Sequence, residues 1–304
     1  MDRVIPASYR HLLNKLSYYA AYGFRFVILR RTDPLIYGIA LTDRCNLSCE
    51  GCRIPELGRP DMSWAEIVAA MKDARERGFR EIYFSGGEPM LWRDGERTLE
   101  DAITEARRTG FFHIHVYTNG TLGLDTSADL VWVSMDGLPG TFEKRRGDYF
   151  EHVEKKIRSE QHLKAAVIYV IDRNTEKGIE AFLEWVRDTR LPVIGVMFYF
   201  HTPYYGRDAL FLDAEERAPV IDRLIGCIKN RLPVINSRAG LRALKTGNWP
   251  RRMPIAYVRD VDGESACCRA EDDICDDCGY AACTELTELR RLRPSAVLGM
   301  LRYW

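Results

Sequence analysis

Short apolar runs and amphipathic stretches alternate along the first two thirds of the chain. The apolar runs have the length of strands and lie at 35–41, 81–85, 112–117, 130–134, 163–171 and 193–200. Between them, apolar residues recur at helical spacing at 63–77, 97–109, 149–160 and 175–190. Strands that alternate with helices predict βαβ units and a parallel sheet. Six units favour an α/β fold, an open and partial (β/α)6 barrel, in which chemistry collects where the strands end.

The N-terminal stretch repeats apolar side chains at helical spacing over residues 8–31 and is also basic. Six basic residues between positions 3 and 31 stand against Asp2 alone. We therefore interpret residues 1–34 as a basic amphipathic helix. Such a helix either packs on the body of the protein or lies at its surface, where it touches lipid headgroups or a hydrophobic substrate.

The pattern changes after Phe200, where a turn-rich, aromatic loop occupies residues 201–206. A helix is predicted at about 214–231, and the last stretch, 284–304, is typical of a basic helix. Between them, residues 237–283 show weak periodicity and dense cysteines, which indicates a small unit organised by metal. We therefore divide the chain into the N-terminal helix 1–34, the partial barrel 35–212 and a cysteine-rich iron–sulfur domain 213–304.

Charge and cysteine content narrow the function classes. Lys+Arg and Asp+Glu both number 44, so no general attraction to nucleic acid is expected. No apolar run approaches the ~20 residues of a membrane span, and Met1 to Arg10 lacks the apolar core of a signal peptide. We expect a cytoplasmic protein, with peripheral contact to a membrane if the N-terminal helix touches lipid. Nine unevenly placed cysteines in a reducing compartment indicate metal or redox chemistry.

The first cysteine group, Cys45, Cys49 and Cys52, follows directly on the first predicted strand. Thiolates are soft ligands, and three in one short loop can bind one face of a cubane iron–sulfur cluster. A [4Fe–4S] cluster has four irons, so three ligands leave one iron open for a substrate or cofactor. A structural zinc site would require a fourth ligand, which no His or Cys within ten residues of Cys52 supplies.

Further motifs follow this triad at the ends of successive strands. Ser85-Gly86-Gly87-Glu88-Pro89 ends the second strand, Thr118-Asn119-Gly120 the third and Ser134-Met135-Asp136-Gly137 the fourth, with Arg146 after them. In this order, the triad and the motifs resemble the radical S-adenosylmethionine (SAM) superfamily over about residues 35–200. The resemblance is specific for the superfamily and carries no information about the substrate.

The resemblance implies a role for each motif. The backbone of the Ser85–Pro89 segment would meet the SAM amino group, since glycines permit a close approach, and Glu88 would balance nearby charge. Thr118 and Asn119 occupy the position of a family motif, and Ser134 and Asp136 would lie near SAM. Arg146 would pair with the SAM carboxylate in bidentate fashion; the alternative for Arg146 is a solvated surface charge.

The same resemblance implies the cofactors and the chemistry. SAM would chelate the open iron of a [4Fe–4S] cluster, and an electron from the reduced cluster would break its sulfur–carbon bond. The resulting 5′-deoxyadenosyl radical would take a hydrogen atom from an unactivated C–H position. The electron would come from a reductant such as flavodoxin or ferredoxin.

The second cysteine group comprises Cys267, Cys268, Cys275, Cys278 and Cys283. With Cys268 as the first ligand, four thiolates include one C-x2-C pair, with Cys267 the alternative to Cys268. A zinc ribbon usually has two such pairs, whereas an auxiliary [4Fe–4S] cluster tolerates irregular spacing. The group resembles the SPASM or twitch extensions of radical SAM enzymes, although it has too few cysteines for two full auxiliary clusters. Cys227 is interpreted as a buried helix residue.

The candidate substrate pocket lies at the end of the sixth strand, where Tyr199, His201, Tyr204 and Tyr205 follow one another closely. These side chains could donate a proton, relay a radical or stack against a substrate, and we name His201 and Tyr204 as catalytic candidates. A hydrogen-bonded structural histidine is the alternative for His201. His113 and His115 lie within a strand and are interpreted as packing residues.

Three functions are consistent with these features. The first is a SAM-cleaving enzyme that acts on a hydrophobic or lipid-like molecule, which the N-terminal helix and the aromatic loop favour. The second is a peptide- or protein-modifying radical SAM enzyme of the kind that matures ribosomal peptides, which the C-terminal cysteines favour. The third is a non-enzymatic iron–sulfur electron-transfer protein, which should lack the SAM motifs found here.

Overall fold

A computed structural model describes residues 7–160, 164–251, 255–266 and 274–303. Its eight strands form one sheet in the order β6-β5-β4-β3-β2-β1-β7-β8. The strands are β1 Ile36–Ala40, β2 Glu81–Ser85, β3 His113–Thr118, β4 Leu130–Ser134, β5 Ala165–Ile171, β6 Val196–Phe200, β7 Ala256–Asp260 and β8 Gly263–Ala266. Strands β1 to β6 are parallel and lie within two or three residues of the predicted runs, which confirms the α/β fold with a mostly parallel sheet.

Helices precede these strands, connect them and follow them, and those between β1 and β6 cover the outer face of the sheet. They are α1 Ala7–Gly23, α2 Trp64–Glu76, α3 Leu99–Thr109, α4 Thr141–Arg146, α5 Phe150–Ser159, α6 Ile179–Asp188, α7 Ala214–Lys229, α8 Arg238–Thr246, α9 Ala281–Arg290 and α10 Pro294–Tyr303. Helix α2 begins at a capping box, in which Ser63 and Glu66 satisfy each other's backbone N–H groups. Of the helices that the structure describes, none is both long and apolar enough to cross a bilayer.

The sheet is buried on both faces. On the outer face, alternate residues such as Ile82, Phe84, Ile114 and Val116 pack under the helices as one large apolar core. On the inner face, a second cluster fills the interior of the barrel; it includes Leu130, Trp132, Ala166, Ile168, Met197 and Tyr199. Burial on both faces explains why the strand segments read as nearly continuous apolar runs.

Strands β7 and β8 were not predicted from the sequence. Strand β7 pairs in parallel with β1, with Ile36 opposite Ala256, and β8 returns antiparallel to β7. All four residues of β8 are only half-buried, so the hairpin lacks the strong apolar signal of the other strands. The cysteine-rich part of the chain thus contributes two strands to the main sheet.

The opposite edge of the sheet, at β6, is covered by the C-terminal part of the chain. The side-chain amide of Asn236 accepts a hydrogen bond from the Phe198 N–H (2.8 Å) and donates one to the Phe198 carbonyl (3.0 Å). Further along, the Phe200 N–H donates to the Gly279 carbonyl at 3.0 Å. The backbone groups that an edge strand would otherwise expose are therefore bonded within the chain.

Helix α1 packs at the amino-terminal end of the strands. The Tyr18 hydroxyl donates to the Gly78 carbonyl (3.4 Å), and the Tyr19 hydroxyl donates to the Glu81 carboxylate (3.1 Å). A single π-helical turn, Phe24–Ile28, follows α1, and Phe26 in this turn is buried. The helix thus closes the bottom of the barrel, at the end opposite to the loops that follow the strands.

Candidate active site

The loop that carries Cys45, Cys49 and Cys52 leaves β1 at the carboxyl end of the sheet. The Leu47 N–H donates to the Cys45 sulfur at 3.5 Å, and the Asn119 amide donates to the same sulfur at 3.7 Å. The Arg146 guanidinium donates to the Cys49 sulfur, also at 3.7 Å. Burial raises the pKa of both thiols, and these donors act in the opposite direction because they stabilise the thiolates. Cys52 is exposed.

The two glycines after β2 are required by the backbone that leads into this loop. A Cβ atom at Gly86 would lie 2.2 Å from the Thr42 carbonyl oxygen, and one at Gly87 would lie 2.4 Å from that of Arg44. The Gly87 N–H donates to the Thr42 carbonyl (2.7 Å), and the Glu88 N–H donates to that of Arg44 (2.8 Å). The two glycines were predicted to permit a close approach to a ligand. In the structure they also permit a close approach to the protein's own backbone. Ser85, at the end of β2, is half-buried, and Pro89 is buried.

Glu88 is fully buried and joins the ends of two strands. Its carboxylate accepts hydrogen bonds from the Thr118 hydroxyl (2.9 Å), the Asn119 N–H (2.8 Å) and the Met90 N–H (3.1 Å). Burial raises the pKa of Glu88, and these three donors limit the increase. In the structure, this carboxylate holds the loop after β3 against the loop after β2.

Asn119 connects the third strand to the cysteine loop. Its amide group donates to the Asn46 side chain (3.0 Å) as well as to the Cys45 sulfur, and its carbonyl accepts from the Thr121 hydroxyl (2.6 Å). The Asn46 amide donates in turn to the Thr121 hydroxyl at 2.7 Å. This small network fixes the position of the loop, and Asn46 and Thr121 were not singled out from the sequence.

Asp136 lies between two arginines at the end of β4. Its carboxylate pairs with Arg145 (2.8 Å) and Arg146 (2.6 Å) and accepts from the Val170 N–H (2.7 Å). Although burial acts to raise it, the Arg146 and Arg145 charges hold the pKa of Asp136 below its ordinary value. The side chain of Arg146 is 11% exposed, so this residue is not a solvated surface charge.

Arg145 and Asp172 extend this buried ion pair and were missed in the sequence. Arg145 pairs with Asp172 as well as with Asp136, and the Asp172 side chain is fully buried. Arg145 stands beside Lys144 and Arg146, and nothing in the sequence distinguished it from its neighbours. Ser134, at the end of the same strand, is half-buried.

The aromatic loop after β6 lies against the cysteine loop. The His201 Nε2 atom is 3.0 Å from the Asp208 carboxylate, and a Cβ at Gly51 would lie 3.5 Å from His201 Cε1. The Tyr204 side chain is 43% exposed, and the Arg53 guanidinium stacks 5.1 Å above the ring of Tyr205. Both catalytic candidates, His201 and Tyr204, therefore lie at the same end of the barrel as the first three cysteines.

A polar cavity of about 530 Å³ opens beside the cysteine loop. Ser48 and Glu50 line it from the loop, Thr141 and Lys144 from α4, and Asn174 from the segment after β5. Its volume lies within the range of small-molecule sites. The outer side of the cysteine loop is thus accessible to a small polar molecule.

Comparisons with known proteins agree with this geometry. The family model described as the radical SAM superfamily matches residues 39–186. A probable GTP 3′,8-cyclase from Methanosarcina acetivorans is 32% identical over 258 residues, which cover 75% of this chain and 71% of that protein. This chain belongs to the radical SAM superfamily. This membership confirms the superfamily that the motifs predicted.

Two other similar proteins act on peptides or bind them, as their names state. The PqqA peptide cyclase of Gluconobacter oxydans is 28% identical over 73% of this chain and 67% of its own length. The structure of Streptococcus suis SuiB bound to precursor peptide SuiA superposes with a TM-score of 0.57 at 14% identity, over 77% of this chain and 55% of that chain. At this identity, the likeness to SuiB shows the fold alone. The chain spans about half the length or less of other curated relatives that it matches.

Membership of the radical SAM superfamily implies a [4Fe–4S] cluster and SAM. The loop at Cys45, Cys49 and Cys52 fits a cluster, because N–H donors point at two of its three sulfurs. Thiolate sulfurs that ligate iron commonly accept such hydrogen bonds, which tune the reduction potential. Glu88, Asn119 and Arg146, from the segments after β2, β3 and β4, donate hydrogen bonds to this loop.

Three cysteines of the second group lie beside the end of β6. Cys275 and Cys283 are buried and Cys278 is half-buried, and the Tyr280 N–H donates to the Cys278 sulfur at 3.3 Å. The Arg217 guanidinium donates to the carbonyls of Asp277, Cys278 and His201, which anchors this turn to the barrel. Cys268, the fourth predicted ligand, and its alternative Cys267 lie outside the described residues. Buried thiols with an N–H donor fit a metal site in this segment.

Glu81, His113 and His115 form a buried cluster at the bottom of the barrel, and their ligand atoms lie within 4.8 Å of one another. The Trp132 indole N–H donates to His115 Nδ1 (3.2 Å), so the proton of His115 is on Nε2 and faces His113 Nδ1 (2.8 Å). A protonated Nε2 has no lone pair for a metal. Burial lowers the pKa of His113 to about 4 and that of His115 as well, so both rings are neutral. The cluster is therefore a hydrogen-bonded chain.

Proposed function

We propose that this enzyme cleaves SAM reductively and abstracts a hydrogen atom from an unactivated C–H position of a hydrophobic substrate. A reduced [4Fe–4S] cluster, when bound, supplies the electron that breaks the sulfur–carbon bond of SAM and releases the 5′-deoxyadenosyl radical. The observation that carries the proposal is the loop of three thiols at the carboxyl ends of the strands, with donors at two sulfurs. Three ligands leave one iron open for SAM.

The surrounding residues of the chain position this loop. Asn119 and Arg146 would stabilise the thiolates of Cys45 and Cys49 through the contacts described above. Asp136 holds Arg146, and Glu88 holds the loop after β3, so these two carboxylates act through other residues. The remaining groups proposed to contact SAM are the backbone and hydroxyls of Ser85, Gly86, Gly87, Pro89, Thr118 and Ser134.

His201 and Tyr204 are the proposed contacts to the substrate. His201 lies against the cysteine loop at Gly51 and is fixed by Asp208. Tyr204 follows His201 in the aromatic loop, and its side chain is 43% exposed. Beside them, Tyr199 and Tyr280 stack with 4.5 Å between their ring centroids, within the filled interior of the barrel. The support for a hydrophobic substrate is therefore the aromatic loop at residues 201–206.

We propose that Cys275, Cys278 and Cys283, with Cys268, bind an auxiliary [4Fe–4S] cluster. The burial of Cys275 and Cys283 and the donor at Cys278 support this assignment. A flavodoxin or ferredoxin would reduce the enzyme in the cytoplasm.

The exposed apolar side of α1 supports the peripheral membrane contact considered from the sequence, with Leu13 and Leu16 each more than half exposed.

A peptide-modifying enzyme is the second candidate. The PqqA peptide cyclase and SuiB comparisons favour it, and so does the set of C-terminal cysteines. Adding candidate precursor peptides or a lipid extract to the reduced enzyme separates the two substrate classes. The true substrate class should raise the formation of 5′-deoxyadenosine above its basal rate, whereas the other should leave that rate unchanged.

The test of the main proposal compares two cysteine variants of the anaerobically reconstituted enzyme. Reduced wild-type protein should convert SAM to 5′-deoxyadenosine, and Cys49→Ala should reduce the rate by at least about a thousandfold, because an iron ligand is lost. Cys227→Ala is the matched control, since Cys227 is buried in α7 away from the loop. Iron content should approach about eight atoms per wild-type chain and about four in Cys278→Ala. An unchanged rate in Cys49→Ala contradicts the assignment of the triad.

A further inference from the structure

Large apolar side chains are exposed in two terminal segments of the described chain. Five lie in and just after α1, and two lie near α10, and each is more than half exposed. They are Leu13 (52%), Leu16 (57%), Phe24 (55%), Ile28 (59%), Leu29 (53%), Leu292 (57%) and Leu298 (62%). Exposed apolar residues that gather in this way mark an interaction surface, whereas single ones need no explanation.

The two segments meet in space although 260 positions separate them in the chain. The Arg30 guanidinium donates to the Arg290 carbonyl at 3.0 Å, and the Arg290 guanidinium donates to the Arg30 carbonyl. Arg290 also stacks over the buried ring of Phe26 at 5.5 Å. Residues 24–31 and 290–293 therefore form one continuous surface, which we call the terminal face.

The terminal face is positively charged. Residues 24–33 and 288–293 contain six arginines and two carboxylates, Asp33 and Glu288. Glu288 is buried with its side chain 7% exposed, whereas Arg31 and Arg293 are 60% and 64% exposed. Asp33 pairs with Arg25 and Arg31, and Glu288 pairs with Arg291 and Arg293, so each carboxylate is shared by two arginines. The surface thus retains an excess of guanidinium groups beside exposed leucines.

Two residues of the terminal face have an unusual backbone conformation. Arg30 and Leu292 have φ values of 57° and 54°, in the left-handed region that non-glycine residues rarely occupy. At Leu292 this conformation occurs together with 57% exposure of an apolar side chain. Each residue follows directly on the C-cap of a helical segment, where a left-handed residue commonly ends the helix.

The terminal face lies at the amino-terminal end of the strands. Arg30 and Arg31 precede β1, and α1 contacts Gly78 and Glu81 at the start of β2. The cysteine loop leaves the opposite, carboxyl end. A partner bound to the terminal face would therefore leave the cysteine loop exposed on the far side.

We propose that the terminal face binds the surface of an anionic lipid bilayer. The leucines and Phe24 would enter the boundary between headgroups and acyl chains, and the arginines would pair with headgroup phosphates. A second copy of this chain is a poor occupant, because two positively charged faces would repel each other. This inference names the surface behind the membrane contact proposed above and rests on that proposal.

Vesicle co-sedimentation tests the surface with the full chain. Wild-type protein should bind phosphatidylcholine vesicles that contain about one third phosphatidylglycerol, and binding should weaken in high salt. The double variant Phe24→Ser/Leu29→Ser should bind at least about tenfold more weakly, because two inserted side chains are lost. Arg31→Gln/Arg293→Gln should lower the affinity for anionic vesicles to that for pure phosphatidylcholine.

The matched control is Leu57→Ser/Leu122→Ser, which removes two exposed leucines outside the terminal face and should bind as wild type does. Equal binding by Phe24→Ser/Leu29→Ser and wild type overturns the inference, as does a wild-type protein that ignores anionic vesicles. Cleavage of SAM with dithionite should be unchanged in all three double variants. A loss of vesicle binding with full cleavage therefore separates this inference from the proposed catalytic function.

Discussion

Asp136 and Glu81 are buried carboxyl groups at opposite ends of the barrel, and their partners differ. At the carboxyl end, Asp136 is fully buried and remains ionised, because Arg145 and Arg146 pair with it. At the amino end, Glu81 is also buried, but the Tyr19 hydroxyl is its principal hydrogen-bond donor. Burial raises the pKa of Glu81 to about 7, so this carboxyl is largely protonated in mildly acidic solution.

This difference shows where in the fold a buried carboxyl group stays ionised. A buried carboxyl group stays ionised when opposite charges or hydrogen-bond donors compensate for the water it has lost. The chain provides such partners next to the cysteine loop, where Arg146 also contacts the Cys49 sulfur. At the bottom of the barrel, His113 and His115 are neutral, and Glu81 gains a proton as the pH falls below about 7.

The largest expected effect follows from removing the compensated charge. Asp136→Asn leaves the buried guanidiniums of Arg145 and Arg146 without their shared carboxylate, and we expect a loss of about 3–5 kcal/mol in the free energy of unfolding. Denaturant unfolding measures this change. Arg187→Gln removes a partner from the exposed Arg187–Asp188 pair and should cost less than about 1 kcal/mol. Equal losses in the two variants would contradict the comparison.

A smaller effect should follow from Glu81 and depend on pH. Its folded-state pKa of about 7 exceeds the ordinary 4.5, so the folded chain retains the proton to higher pH than the unfolded chain. The resulting stability is complete below about pH 4.5 and is lost as pH rises through about 7, which amounts to about 3 kcal/mol. Glu81→Gln should remove this part of the slope in unfolding measured from pH 4.5 to 8. A slope identical to that of wild type would show that Glu81 remains ionised.

The smallest of the three effects concerns the glycine beside the cysteine loop. In Gly87→Ala, the new Cβ would meet the Arg44 carbonyl oxygen at 2.4 Å, and relief requires movement of the backbone. We expect a loss of about 1–3 kcal/mol in unfolding free energy and a lower iron content after reconstitution. Gly226→Ala is the control, since its Cβ would have no neighbour within 4 Å. Full iron content in Gly87→Ala would show that the cysteine loop keeps its shape without this glycine.

The sequence predicted the six parallel strands because each is buried on both faces and therefore reads as an apolar run. It also predicted the helix at 214–231, which the structure places at Ala214–Lys229. The hairpin of β7 and β8 was missed, because its residues are mostly half-buried and its pairing depends on β1, more than 200 positions away. The sequences of such strands carry little local signal of strand formation.

Site residues that belong to a local motif could be predicted from the sequence. Contacts between residues far apart in the chain could not. The cysteine spacing and the motif residues could be read directly from the chain. The partners of Glu88, 30 positions further along, and the second arginine at Asp136 could not, because only the folded sheet brings them together. The close packing at Gly86 and Gly87 likewise depends on the backbone of the loop that follows β1.

The amide of Asn236 has a consequence for peptides. By bonding both backbone groups of Phe198, it occupies the place that an incoming extended chain would take at β6. A peptide that docks as an additional strand is therefore directed to the other border of the sheet, at β8. The β6 border is protected along its length, because Val196 also bonds to Pro233 and Ile235, and Phe200 bonds to Gly279.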